Sequence, residues 1–185
     1  QRGGFNRSLH PSIESKFPDA YINMGMTAEN LANSHQISRS SQELFAASSH
    51  EKAINAQNSG YFVDEIVEIS GVKQDGCMRE PNLEKMAQLK PAFDENGTVT
   101  AATSSPLTDG AAALLVCSEE FALANGLTPL ASIVSTAVSG VPPEIMGYGP
   151  VPSSAKALDR AGLTMDDLGV IELNEAFSAQ SLACM

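Results

Sequence analysis

Asn174 and Glu175 stand where a short apolar run, Val170-Ile171-Glu172-Leu173, meets a helix-compatible segment from Ala176. The run reads as a buried strand. Polar groups at a strand-to-helix junction face ligands in many α/β proteins. An Asn in that place can cap the helix, serve a turn, or aim its amide donor into a cleft, and this stretch alone leaves all three open. Glu175 suits a helix start or a structural hydrogen bond. Thiols and imidazoles are the other groups able to do chemistry. A thiolate nucleophile needs a lowered pKa and a base in reach. Cys77, Cys117 and Cys184 are widely spaced with no Cys-x-x-Cys, and His10, His35 and His50 have no metal-like spacing with them or with each other. The pattern implies no structural zinc and no disulfide framework, and it fits a reducing compartment. Cys117 sits in an apolar run and reads as packed, and the histidines as solvated or core side chains.

The elements that position these groups fall into two blocks. Residues 1–26, rich in Gly, Pro, Ser and Asn, read as loop. Thr27 can cap a helix to about His35 with Glu29 facing the helix dipole, and Ser38 opens a longer helix to about Asn58 that Gly60 ends. Residues 62–69 alternate like a strand, and Asn82 caps a short helix to about Leu89. From Thr98 the pattern becomes strand, helix, strand, helix, strand, helix. The strands are 98–100 with the apolar run 110–117, then 131–138, then 170–173. The helices are one capped by Ser118 and ending at Gly126, one from about Pro152 to Ala161 with Gly162 as its stop, and one from Ala176. That order predicts an α/β layered core beside a more helical lobe.

Composition sets limits. The 185 residues, with 43% hydrophobic and 18% charged content, suffice for a folded domain with a sizeable core. A net charge of −11 with scattered basic residues argues against nucleic acid, which needs clustered Lys and Arg. No apolar stretch is long enough for a membrane span. Gln1 is not an initiator Met, and Met185 falls inside a helical pattern, so the chain reads as an internal fragment.

Four loops recur with small and Gly-rich residues: Met24-Gly25-Met26-Thr27, Gly97 to Gly110, Met146-Gly147-Tyr148-Gly149-Pro150-Val151-Pro152, and Asn174-Glu175-Ala176-Phe177. Each alone is a weak signal. In this order, "MGMTAENLA", "KPAFDENGTVTAATSSPLTDGAAALLV", "MGYGPVP", "ALDRAGL" and "IELNEAFSAQ" resemble the thiolase family of 3-ketoacyl-CoA thiolases and acetyl-CoA acetyltransferases, from about Gly3 to Cys184. "MGYGPVP" and "GGFN" lean toward the degradative branch of fatty acid β-oxidation, as does Asn23, where biosynthetic members carry His.

The resemblance implies an αβαβα layered fold with a largely helical lid. Residues 1–92 would be the lid domain, 93–126 the end of the N-terminal half, and 127–185 the start of the C-terminal half. It implies CoA thioesters as substrates, no cofactor or metal, and a homo-oligomeric intact enzyme in the cytoplasm or another reducing compartment. Asn174 matches the Asn that holds an oxyanion-hole water, a role in which a fixed donor contributes about 3–4 kcal/mol of transition-state stabilisation. Met24, Phe93, Ala101, Ser105, Met146, Ala176 and Phe177 match positions lining the pantetheine and acyl tunnel, where a narrow, mostly apolar channel suits a slender arm. Arg79 matches, across a one-residue gap, a partner for the nucleotide phosphates. The family's nucleophilic cysteine, its Gly-His-Pro histidine and its acid/base cysteine have no counterpart among Cys77, Cys117, Cys184 and the three histidines. The expected activity is thiolysis of 3-ketoacyl-CoA by a parent enzyme, with this chain inactive by itself. The alternatives are a non-catalytic CoA-ester binding module and an inert piece that survives by pairing with other chains.

Overall fold

The computed structural model describes residues 9–185. The "GGFN" motif and the first eight residues of the early loop reading lie outside them. Seven α-helices follow in order: α1 Pro11–Lys16, α2 Met24–Ser34, α3 Arg39–Asn58, α4 Leu83–Ala87, α5 Glu119–Ala124, α6 Pro150–Ala161 and α7 Ser178–Cys184. Tighter 3-10 turns occupy Pro18–Tyr21, Ala101–Thr103, Pro143–Tyr148 and Met165–Asp167. Residues 9–26 are therefore less loop-like than expected: the His10 ring accepts from Ser12 N at 3.3 Å and starts α1 with Pro11 in its first turn.

Local capping chemistry sets most helix ends. Ser38, Asn82 and Ser118 each place a side-chain oxygen on an orphan amide of the helix they open. Gly162, at φ +68°, takes the left-handed conformation that closes α6. One cap differs from expectation. α2 starts at Met24, because Asn23 Oδ1 accepts from Gly25 N at 2.8 Å; Thr27 lies inside the helix and donates to Met24 O.

α2 is the centre of the packed region. Its Ala28 and Ala32 meet Val99 and Ala179 of α7 in a small apolar cluster, with Ile37 and Phe177 along its edge. The Pro143–Tyr148 turn lies on the α2–α7 pair: a Cβ on Gly147 would strike the Gln180 side chain and crowd Leu31. Arg39, at the start of α3, pairs with Glu43 at 2.8 Å and donates to the carbonyls of Met86, Ala87 and Leu89, closing the end of α4.

The strand expectations are corrected. Among the described residues the only bridges are the isolated pairs Ile69–Val72, Pro91–Thr100 and Ser104–Phe177. Residues 62–69 form turns rather than a strand at their start, with Ile66 N donating to Phe62 O at 3.2 Å. Thr100 is extended and carries one bridge, while 111–117, 131–138 and 170–173 have no regular secondary structure and no bridge among the described residues. A strand needs a neighbouring strand to pair its backbone groups, and none pairs with these runs among the described residues. Leu114, Leu115, Val116, Val134, Val170 and Ile171 are accordingly exposed, and so is Cys117, which was expected to be packed. α6 lies beside 135–138, where Ser135 Oγ donates to Ala157 O and Arg160 Nη1 to Thr136 O, both at 2.6 Å.

Candidate functional site

The serine-rich loop and the Asn174 junction meet. Ser105 N donates to Ala176 O at 2.9 Å, and Ser104 bridges Phe177 in antiparallel register. Phe177 then packs edge-on against Phe93, their ring centroids 5.7 Å apart at 82°. Phe93 in turn packs on α2 at Gly25, where a Cβ would come within 2.2–2.4 Å of three ring carbons. Glycine is needed there for the close approach, and Met24 is the next residue along. Ala101 is exposed in the Ala101–Thr103 turn that leads into the serine loop. Met146 belongs to the turn docked on α2 and α7. Met24, Phe93 and Met146 are 51%, 37% and 46% exposed, so each offers apolar surface to solvent rather than closing into the core.

Asn174 lies three residues before Phe177 and is exposed, in an open depression lined by Glu172, Leu173, Asn174 and Glu175. α7 begins only at Ser178, with Phe177 in its N-cap position, so Asn174 does not cap that helix, and the helix start expected at Ala176 moves to Ser178. Glu175 is tied across the chain, its Oε2 accepting from Ser49 Oγ on α3. The next residue of α3, His50, accepts the Arg79 backbone amide on Nδ1 at 3.3 Å. Arg79 is exposed, and its backbone links to the junction through the Ser49–His50 step of α3.

Sequence reasoning missed the groups behind this surface. Glu29, expected to face the helix dipole, is 2% exposed and turns its carboxylate onto the loop, accepting from Thr98 N and Val99 N at 2.8–2.9 Å. Gln42, fully buried on α3, donates to Thr98 Oγ1 at 2.9 Å. A buried acid or amide inside an otherwise polar helical pattern leaves no periodic mark to find it by; the small residues around Gly97, where a Cβ would strike the Glu29 carboxylate, are the only hint.

The thiols do not form a nucleophilic site among the described residues. Cys77 and Cys117 are exposed, and Cys184 donates to Gly147 O at 3.3 Å. Burial pushes the Cys184 thiol up, opposed by the weaker effect of the Gln180 hydrogen bond, so it is held as a thiol. No group of three or more His, Cys, Asp or Glu residues among the described residues could hold a metal ion. No described helix is long and apolar enough to cross a membrane.

Comparison with known proteins agrees with this architecture. Residues 10–120 match the family described as Thiolase, N-terminal domain, and residues 127–185 that described as Thiolase, C-terminal domain. A 3-ketoacyl-CoA thiolase of Yersinia enterocolitica is 51% identical over 188 residues, covering 96% of this chain and 49% of the relative. One from Photobacterium profundum is 49% identical over 187 residues, covering 95% and 48%. The crystal structure of the Bacillus anthracis acetyl-CoA acetyltransferase superposes with a TM-score of 0.82 at 43% identity, over 88% of this chain and 44% of that one. The chain spans about half the length of the curated relatives it matches. Its helix-rich structure, with few paired strands, matches part of an α/β thiolase fold, and the chain belongs to the thiolase family.

Proposed function

We propose that these residues form part of an acetyl-CoA acyltransferase that cleaves 3-ketoacyl-CoA with CoA, giving acetyl-CoA and a shortened acyl-CoA through an acyl-cysteine that this chain does not supply. The observation that carries the reading is the meeting of Ser105 with Ala176 and of Phe93 with Phe177, which sets partly exposed apolar surface next to the Asn174 junction. In this reading Met24, Phe93, Ala101, Met146, Ala176 and Phe177 line the acyl-pantetheine path, Ser105 offers a polar anchor, and Asn174 directs its amide at the thioester oxygen. Electrostatics supports that orientation. Glu172 and Glu175 flank Asn174 and would repel phosphate, so the neutral thioester end belongs there and the nucleotide end toward Arg79. The division into a lid over 1–92 and half-domains meeting near residue 127, the homo-oligomeric intact enzyme and a reducing compartment belong to the same proposal. The exposed free thiols at Cys77 and Cys117 favour the last.

A second reading has its own support. With Cys184 held as a thiol and no imidazole hydrogen-bonded to a cysteine among the described residues, the chain itself fits a CoA-ester binding module without chemistry. Two assays on the 185-residue chain test these statements. Thiolysis of acetoacetyl-CoA should be undetectable, and turnover would contradict the assignment of the acyl-cysteine to other sequence. Calorimetric titration with acetyl-CoA should give saturable binding that Asn174→Ala weakens; an absence of binding would remove the site.

A further inference from the structure

The candidate site rests on three pieces of chain that are far apart in sequence, and one buried carboxylate reaches the backbone that joins two of them. Glu29 Oε1 accepts from Val99 N at 2.8 Å and from Thr98 N at 2.9 Å, while Oε2 accepts from Thr98 N at 2.9 Å and Thr98 Oγ1 at 3.3 Å. Gln42 Nε2 supports the same Thr98 hydroxyl from α3. From there order passes in two directions. Val99 O accepts from Ala92 N at 2.9 Å, and the residue after Ala92 is Phe93. Thr100 is fully buried and is locked by Thr103 Oγ1 on its amide at 2.9 Å and by Ser104 Oγ on its carbonyl at 2.7 Å, and the residue after Ser104 is Ser105. The two branches rejoin where Phe93 packs on Phe177 and Ser105 bonds Ala176.

We infer that Glu29 is a positioning residue for the candidate thioester cleft, setting Phe93 on one side and Ser105 on the other through the Thr98–Val99 backbone. The chemistry favours such a role. Hydrogen bonds to an ionised acceptor are about twice as strong as neutral ones, and among the described residues the Glu29 carboxylate has no cationic partner. Its stabilisation comes from backbone amides, so the carboxylate and the loop fix each other. A buried carboxylate is costly unless so bonded, which makes the bonded loop conformation the favoured one. Gly97 completes the fit, since any Cβ there would displace the carboxylate.

The inference deepens the thioester reading and rests on it only for the ligand, so two arms separate them. In the 185-residue chain, Glu29→Gln keeps the shape but turns an amide donor toward donors. Amide exchange at Ala92 and Ser105, as well as at Thr98 and Val99, should accelerate on the order of tenfold or more while the central amides of α3 keep their rates. Coenzyme A affinity, titrated separately, should weaken by a similar factor. Gly97→Ala attacks the same contact from the loop side and should reproduce the pattern if Glu29→Gln does not fold. Faster exchange confined to Thr98 and Val99, or a uniform loss that includes α3, would overturn the inference. If the parent chain fails to bind coenzyme A, the cleft reading falls, and the exchange pattern still decides the role of Glu29.

Discussion

In α2, Ala28, Leu31 and Ala32 are all buried, whereas in the irregular stretch 111–117 Leu114, Leu115 and Val116 are all exposed. The stretch 111–117 is apolar throughout while α2 carries Thr27, Glu29, Asn30, Asn33 and Ser34, so hydrophobicity alone would bury the wrong one. Their backbones separate them. A helix satisfies its own amides and carbonyls and needs only one apolar face covered, which α7, Val99 and the Pro143–Tyr148 turn supply to α2. A strand-forming run needs a neighbour for its backbone as well as cover for its side chains, and among the described residues 111–117 has neither, in a chain that matches about half of a thiolase. The candidate site is built at the boundary: Ser104–Ser105 and Ala176–Phe177 are where extended chain leaves the helical platform, and each gains its one bridge there.

The largest expected contrast is between two leucines. Leu31→Ala, at a fully buried position, should lower stability by about 2–5 kcal/mol in urea titration, while Leu114→Ala, 89% exposed, should stay within about 0.5 kcal/mol. Equal effects would erase the distinction between the regions. Gly25→Ala should follow at about 1–3 kcal/mol, because its Cβ must push Phe93 off α2; loss of the Phe93–Phe177 ring contact, seen as changed aromatic NMR shifts, should accompany the drop. Ser49→Ala should cost only about 0.5–1 kcal/mol, since the bond to Glu175 is exposed, yet it should loosen residues 172–175 in hydrogen exchange. An unchanged exchange rate there would mean that α3 does not restrain the junction.

The smallest effect concerns Cys184. Its thiol pKa is raised in the folded chain by burial, so its contribution to stability is present below the ordinary cysteine range and is lost as pH rises through the folded value. Alkaline destabilisation should therefore be slightly steeper in the parent chain than in Cys184→Ala. At neutral pH iodoacetamide should label Cys77 and Cys117 well before Cys184. Simultaneous labelling of all three would show that the α7 end is open.

What could be read from sequence follows the same division. Ser38, Asn82, Ser118 and Gly162 act on backbone groups within a few residues, so their signals are local and the helix limits they set are close to those found. Runs 111–117, 131–138 and 170–173 carry strand composition, but pairing depends on distant chain and is not written in the run itself. Glu29 misleads for a related reason: its neighbours in sequence suggest a helix-end charge, and its partners, Thr98 and Val99, lie about seventy residues away. Asn174, legible at once as a polar group at a junction, loses its helix-cap alternative only when α7 is seen to begin at Ser178.

The central claim is that the Asn174 amide and the serine loop face one cleft shaped for a CoA thioester. Titrating the 15N-labelled 185-residue chain with acetyl-CoA tests it most directly. The expected result is a saturable, concerted shift of the Asn174 side-chain amide and the Ser105 backbone amide, with amides along 111–117 unmoved. Shifts confined to the exposed apolar segments, with Asn174 and Ser105 silent at saturation, would contradict it.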